Sequence, residues 1–181
     1  MVYRAGSIFF TANGGWISRA IKALQRSPGE ERSQVSHVGI VVADGTLYSL
    51  AGIEATGAGV VRHNVGAAHF GSRMAIFEPV KLSEEARRKA VSRAHSYVGR
   101  KYGFAKIAAH ALDWALGGRF VFRRLAQMHR YPICSWVVAY AYDAIGWGFG
   151  VPPGAAQPDC IWDYCVAHPE EWRMVRGLEV V

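Results

Sequence analysis

The chain has 181 residues, enough for one compact domain with its own core. Hydrophobic residues make up 51% and charged ones 19%, below the roughly 25% charge of average soluble domains, which excludes intrinsic disorder. Twenty-one basic against 14 acidic side chains leave a net charge of +7. That favours an anionic partner (nucleic acid, acidic lipid or cell-wall polymer) without choosing among them.

Twenty glycines with no fixed period exclude a collagen-like chain or a repeat array. No run reaches the roughly 18 apolar residues of a membrane span; the nearest, residues 131–142, is ended by Asp143. Residues 1–10 lack the pattern of a signal peptide, so the expected location is the cytoplasm, or release by lysis, a secretion machine or a virion. The three cysteines, Cys134, Cys160 and Cys165, cannot pair without a leftover. They are expected to be reduced thiols.

In chain order, residues 5–10 read as a short buried strand, and Asn13-Gly14-Gly15 turns the chain. Ile17, Ala20, Ile21 and Leu24 have helical spacing, and residues 27–33 are a polar loop. Residues 35–42 are the clearest strand. Asp44-Gly45 is a hairpin turn signal, with residues 46–53 as the returning strand. Residues 59–62 and 73–78 look like further strands. Ser83 caps a helix expected to reach Val98 and stop at Gly99, with Glu84 and Glu85 in its first turn. Helices are also expected over residues 105–116, 120–127 and 133–145, the last with Pro132 at its mouth. The tail from Val151 shows no clear periodicity. Strands dominate the first half and helices the second, an α+β pattern in a single domain over residues 1–181.

Two residues stand out by position. Ser36-His37-Val38-Gly39 sets a histidine at the start of a buried strand, and Ile133-Cys134-Ser135 sets a cysteine in the first turn of a buried helix. A helix N-terminus carries partial positive charge and unpaired N–H groups. Both stabilise a thiolate, and the N–H groups can also hold an oxyanion formed beside the sulfur. A histidine facing the cysteine makes a nucleophile and base pair. With Asp44-Gly45 at the turn centre, His37 sits opposite Gly52 and Val35 opposite Glu54. Glu54 then shares the face of His37, one diagonal step away. It could orient the imidazole as the third member of a triad does, or be a solvated strand-end carboxylate. His63 is a rival for that role, and His63 and His69 otherwise read as surface histidines.

These pieces in order resemble a known group. They are Gly6-Ser7-Ile8-Phe9-Phe10, Ser36-His37-Val38-Gly39-Ile40-Val41, Ile53-Glu54-Ala55 with Gly59-Val60, Tyr97-Val98-Gly99 with Lys101-Tyr102, and Ile133-Cys134-Ser135. They are similar to the circularly permuted, papain-like branch of the NlpC/P60 superfamily. Within it the YiiX/YebB-like proteins are similar, with relatives among lecithin:retinol acyltransferase-like enzymes. The histidine strand precedes the cysteine helix, opposite to papain.

The resemblance implies a small antiparallel sheet or partial barrel packed against helices. It also implies Cys134 as nucleophile, His37 as base, Glu54 as orienting residue and Tyr102 near the site, with Ser36, Ser135 and Trp136 as candidate substrate contacts. Two residues depart from the group's pattern, Trp136 where Glu is common and Gly103 where Asp is common. Both put the substrate pocket in doubt. A helical insertion is expected around residues 104–131.

Other features are set aside. Cys160, Cys165 and His168 match no strong zinc spacing, so no metal and no cofactor is expected. Arg119, Arg123, Arg124 and Arg130, with Phe120 and Phe122 interleaved, could contact an anionic membrane or wall polymer or simply form a solvated face. No nucleic-acid-binding module is recognisable. The leading expectation is a bacterial or phage cysteine hydrolase cleaving amide bonds in cell-wall peptides. The first alternative is an amidase, thioesterase or acyltransferase acting on acyl chains, with Trp114, Trp136, Trp147 and Phe149 lining an apolar groove. The second is a binding module with an inert Cys134.

Overall fold

The computed structural model describes residues 1–12, 33–101 and 133–181. The expected helices over residues 17–24, 105–116 and 120–127, the insertion at 104–131, Tyr102, Trp114 and the arginine cluster lie outside the described residues.

Six antiparallel strands form one sheet in the order β4-β3-β2-β1-β5-β6. They are β1 (Ile8–Ala12), β2 (His37–Ala43), β3 (Ala51–Thr56), β4 (Gly59–Asn64), β5 (Arg73–Pro79) and β6 (Trp172–Val180). A single turn, α1 (Val65–Ala68), leads out of β4. Among the described residues, helices α2 (Glu84–His95), α3 (Cys134–Asp143) and α4 (Pro158–Ala167) make up the rest of an α+β architecture. No described helix is long and apolar enough to cross a membrane.

Alternation along the strands gives the sheet two buried faces. Ile8, Phe10, Val38, Ile40, Ile53 and Phe77 form one core with Val137, Val138, Ala141 and Tyr142 of α3. Phe9, Val41, Val65, Met74 and Ile76 form a smaller core on the other face. Because both faces are covered, β1 and β2 read as continuous apolar runs rather than as alternating ones.

Three sequence expectations hold closely. Ser83 caps α2, its side chain accepting from Ala86 N at 3.2 Å. The helix ends at His95, three residues short of the expected Val98, with Gly99 beyond it at φ +84°, a conformation glycine adopts without penalty. The cysteine helix starts at Cys134 and ends two residues short of Ile145.

Two expectations are corrected. Asp44-Gly45 is not the hairpin turn. Asp44 Oδ1 accepts from Ala5 N at 2.7 Å, and Gly45 exchanges backbone bonds with Tyr3 at 2.8 and 3.0 Å. The chain therefore runs past this dipeptide and turns at Thr46–Ser49, where Ser49 N donates to Thr46 O at 2.9 Å. The returning strand starts at Ala51 instead of Thr46, and Gly52 pairs with Val41 instead of His37. The tail is not irregular either. Pro158 at the first helical position and Asp159 in the first turn open α4, both ordinary start signals. Strand β6 then closes one edge of the sheet against β5.

Candidate active site

Three elements carry the candidate triad. His37 is the first residue of β2, and Glu54 lies in β3. Cys134 opens α3, which packs against β2. Pairing of Ile40 with Ile53 continues to place Gly39 opposite Glu54, so Glu54 is a diagonal neighbour of His37. The sequence reading reached the same adjacency through a different register. The displacement is four residues, an even number, and an even slip leaves each side chain on its own face.

Backbone approach explains the glycines between them. A Cβ on Gly39 would lie 2.2 Å from Phe9 Cζ, and one on Gly52 2.8 Å from Phe9 Cε1. The Phe9 ring therefore lies over two bare positions of the sheet, beside the histidine and carboxylate cluster. Its centroid is 5.7 Å from that of His69.

Glu54 is 1% exposed, and three imidazoles surround it. His37 Nε2 contacts Oε2. His69 Nε2 is 2.9 Å from Oε1 and 3.1 Å from Oε2. His63 Nε2 is 2.6 Å from Oε1, but it is not aligned for a hydrogen bond. Glu54 is thus no solvated carboxylate, and His63 and His69 are not free surface histidines. His63 is a neighbour of Glu54 rather than its replacement. Strand pairing brings His63 in, opposite Gly52 and on the face of Glu54. His69 arrives as the C-cap of α1.

Electrostatics couples the group. Burial alone raises the Glu54 carboxyl, but His37, by charge and hydrogen bond, together with the close imidazoles of His63 and His69, outweighs it and holds Glu54 well below the usual carboxylate range. Burial likewise lowers His37. The negative charges and hydrogen bonds of Cys134 and Glu54 prevail and push it from 6.5 up to about 10. His37 is hydrogen bonded to the Cys134 side chain as well as to Glu54. Since Nε2 faces Glu54, Nδ1 is the nitrogen left for the sulfur.

Ile133 occupies the N-cap and has no side-chain acceptor to offer. Trp136 and Val137 donate their N–H groups to Ile133 O at 3.1 and 3.2 Å. The donors ahead of them in the first turn belong to Cys134 and Ser135.

The other sequence candidates have structural surroundings. Ser135 is fully buried and donates to Ala156 O at 2.7 Å. That ties α3 to the following loop rather than to a substrate. Ser36 is buried with its Oγ 3.4 Å from Thr11 O, and Trp136 is 4% exposed against Tyr140. Two of the residues expected to line an apolar groove lie in the helix-side core. Trp147 and Phe149 pack on Tyr142 and Trp172 inside the helix-side core. Cys165 is buried, and His168 stacks on Tyr164 at 3.9 Å with Nδ1 2.8 Å from Tyr164 O. Among the described residues, the group with metal-ligand geometry is instead His37, Glu54 and His69.

The fold has a solved counterpart. The chain is similar to metalloprotein yiiX from Escherichia coli O157:H7 (DUF1105), with a TM-score of 0.58 at 17% identity over 98% of each chain. At that identity the likeness shows a shared fold, a YiiX-like one. No family model matches the chain, and no curated protein matches it.

Proposed function

We propose that this chain is a cysteine hydrolase acting through an acyl-enzyme, with Cys134 as nucleophile, His37 as base and Glu54 as the residue that orients His37. The observation that carries the reading is the polar line from the Cys134 side chain through the His37 imidazole to the buried Glu54 carboxylate. A binding module has no need of a carboxylate buried behind a histidine that meets a thiol at a helix mouth. The order of these motifs also supports placing the chain in the circularly permuted NlpC/P60 superfamily.

The steps follow from the geometry. The proton of the Cys134 thiol rests on His37 Nδ1, and Sγ adds as the thiolate to the carbonyl carbon of the substrate. The carbonyl electron pair moves onto oxygen, which the N–H groups of Cys134 and Ser135 hold. The tetrahedral species collapses and expels the amine, which takes the proton from Nδ1. His37 then removes a proton from water, the hydroxide adds to the thioester, and Sγ leaves as the acid forms. Glu54 keeps Nε2 protonated throughout and stabilises the imidazolium between steps.

Amide bonds of cell-wall peptides are the substrate class we favour. The net charge of +7 suits an anionic wall, and Trp147 and Phe149 are spent on core packing rather than on a groove for an acyl chain. The test begins with iodoacetamide, mapped by peptide mass. Cys134 should label rapidly at pH 6, and His37→Ala should slow it at least tenfold. The same protein should then release new amino termini from purified muropeptides, and Cys134→Ala should not. Slow labelling of Cys134 across pH 5–9 would favour the binding module. Rapid labelling with cleavage of acyl esters and no cleavage of muropeptides would favour the acyl-chain reading.

A further inference from the structure

We propose that His37, Glu54 and His69 form a site for one divalent transition-metal cation of the zinc class.

A cysteine triad needs one imidazole on its carboxylate, and this carboxylate faces three. All three turn the same atom, Nε2, towards it. The ligand atoms of His37, Glu54 and His69 lie within 4.8 Å of one another. Zinc takes imidazole nitrogen and carboxylate oxygen at roughly 2.0–2.2 Å, which sets neighbouring donors ~3.3 Å apart in a tetrahedron. His69 Nε2 is 2.9 and 3.1 Å from the two oxygens, so His69 reaches that spacing by opening a few tenths of an ångström, and His37, in closer contact with Oε2, by moving further. Two nitrogens and one oxygen suit zinc and its neighbours and leave a fourth position open. His63, 2.6 Å from Oε1 without an aligned hydrogen bond, stands beside the carboxylate as an outer partner that fixes its orientation.

The test uses the full chain, stripped with EDTA and dialysed, with Zn2+ and Co2+ as probes. We expect one Co2+ per chain, with the visible bands of a tetrahedral nitrogen and oxygen site and no thiolate charge-transfer band. Cys134→Ala should retain this binding. His69→Gln, which can still donate to Glu54 but is a poor ligand, should weaken it at least tenfold while keeping the wild-type circular dichroism. Should that variant fail to fold, His37→Gln removes another ligand and serves the same comparison. Binding that survives loss of His69 and His37, or disappears with Cys134, overturns the site.

Discussion

Replacing Glu54 by Gln isolates the charge that the site is built around. In the wild type, the distance between the ordinary 6.5 of His37 and about 10 corresponds to about 5 kcal/mol at 1.36 kcal/mol per pH unit. Two negative groups, Cys134 and Glu54, supply it against burial. Removing one close opposite charge moves a titration by about 1–3 units, or about 1.4–4 kcal/mol. His37 in the variant should therefore titrate at about 7–9, and the protein should lose stability of that order at neutral pH. The amide also turns an N–H toward an imidazole N–H. The assay is an NMR titration of histidine-labelled protein in EDTA, with urea unfolding at several pH values.

The direction with pH is fixed. His37 is raised, so its contribution is full below pH 6.5 and is lost as pH rises through about 10. Glu54 is depressed, so its contribution is full above its ordinary 4.5 and is lost as pH falls through its lower folded value. Both act fully between about pH 4.5 and 6.5. A wild-type His37 titrating near 6.5, or one unmoved by Glu54→Gln, would refute the reasoning.

Other outcomes test separate parts of the structure. Hydrolysis should fall on the alkaline side as His37 loses its proton near pH 10, because the leaving amine then has no proton donor; a pH–rate profile checks this. Gly39→Ala forces a methyl to within 2.2 Å of the buried Phe9 ring. It should cost about 1–3 kcal/mol by overpacking, read by urea unfolding, and Phe9→Leu in the same chain should recover part of the loss. Tyr142→Phe removes the buried hydroxyl that donates to Gly6 O. Leaving that carbonyl without its partner should lower stability by about 1–3 kcal/mol, with the circular dichroism unchanged.

Edge placement explains why a nucleophile and an orienting carboxylate can meet through one histidine. Cys134 belongs to the core on the helix side of the sheet. Glu54 shares the opposite face with Gly52 and His63. His37, the first residue of β2 and one-fifth exposed, stands at the strand end. Its ring can reach both because no further strand residue lies between it and the helix mouth.

The sequence by itself determined what depends on neighbours in the chain. Apolar runs bounded by turn residues marked β1, β2 and β5, and Ser83 with its acidic first turn marked α2. The apolar stretch after Pro132 marked the helix that begins at Cys134. Alternation put Glu54 on the face of His37 under either register, because the error in the hairpin was even. The start of α4 was also legible in Pro158 and Asp159, but the short apolar pattern of Ile161, Trp162 and Cys165 did not stand out from the tail.

Tertiary structure alone decided what depends on partners distant in sequence. Asp44 and Gly45 are turn residues by type, yet Tyr3 and Ala5 engage them and move the turn. Strand β6 mixes Arg, Glu and Gly with Trp and Leu, and it is a strand because β5 offers an edge to pair with. His63 and His69 lie 9 and 15 residues beyond Glu54 in the chain. Only the β3–β4 ladder and the turn of α1 direct both rings onto one carboxylate. Local propensity has no term for such meetings, which strand register and the close approach of Phe9 to bare glycines bring about.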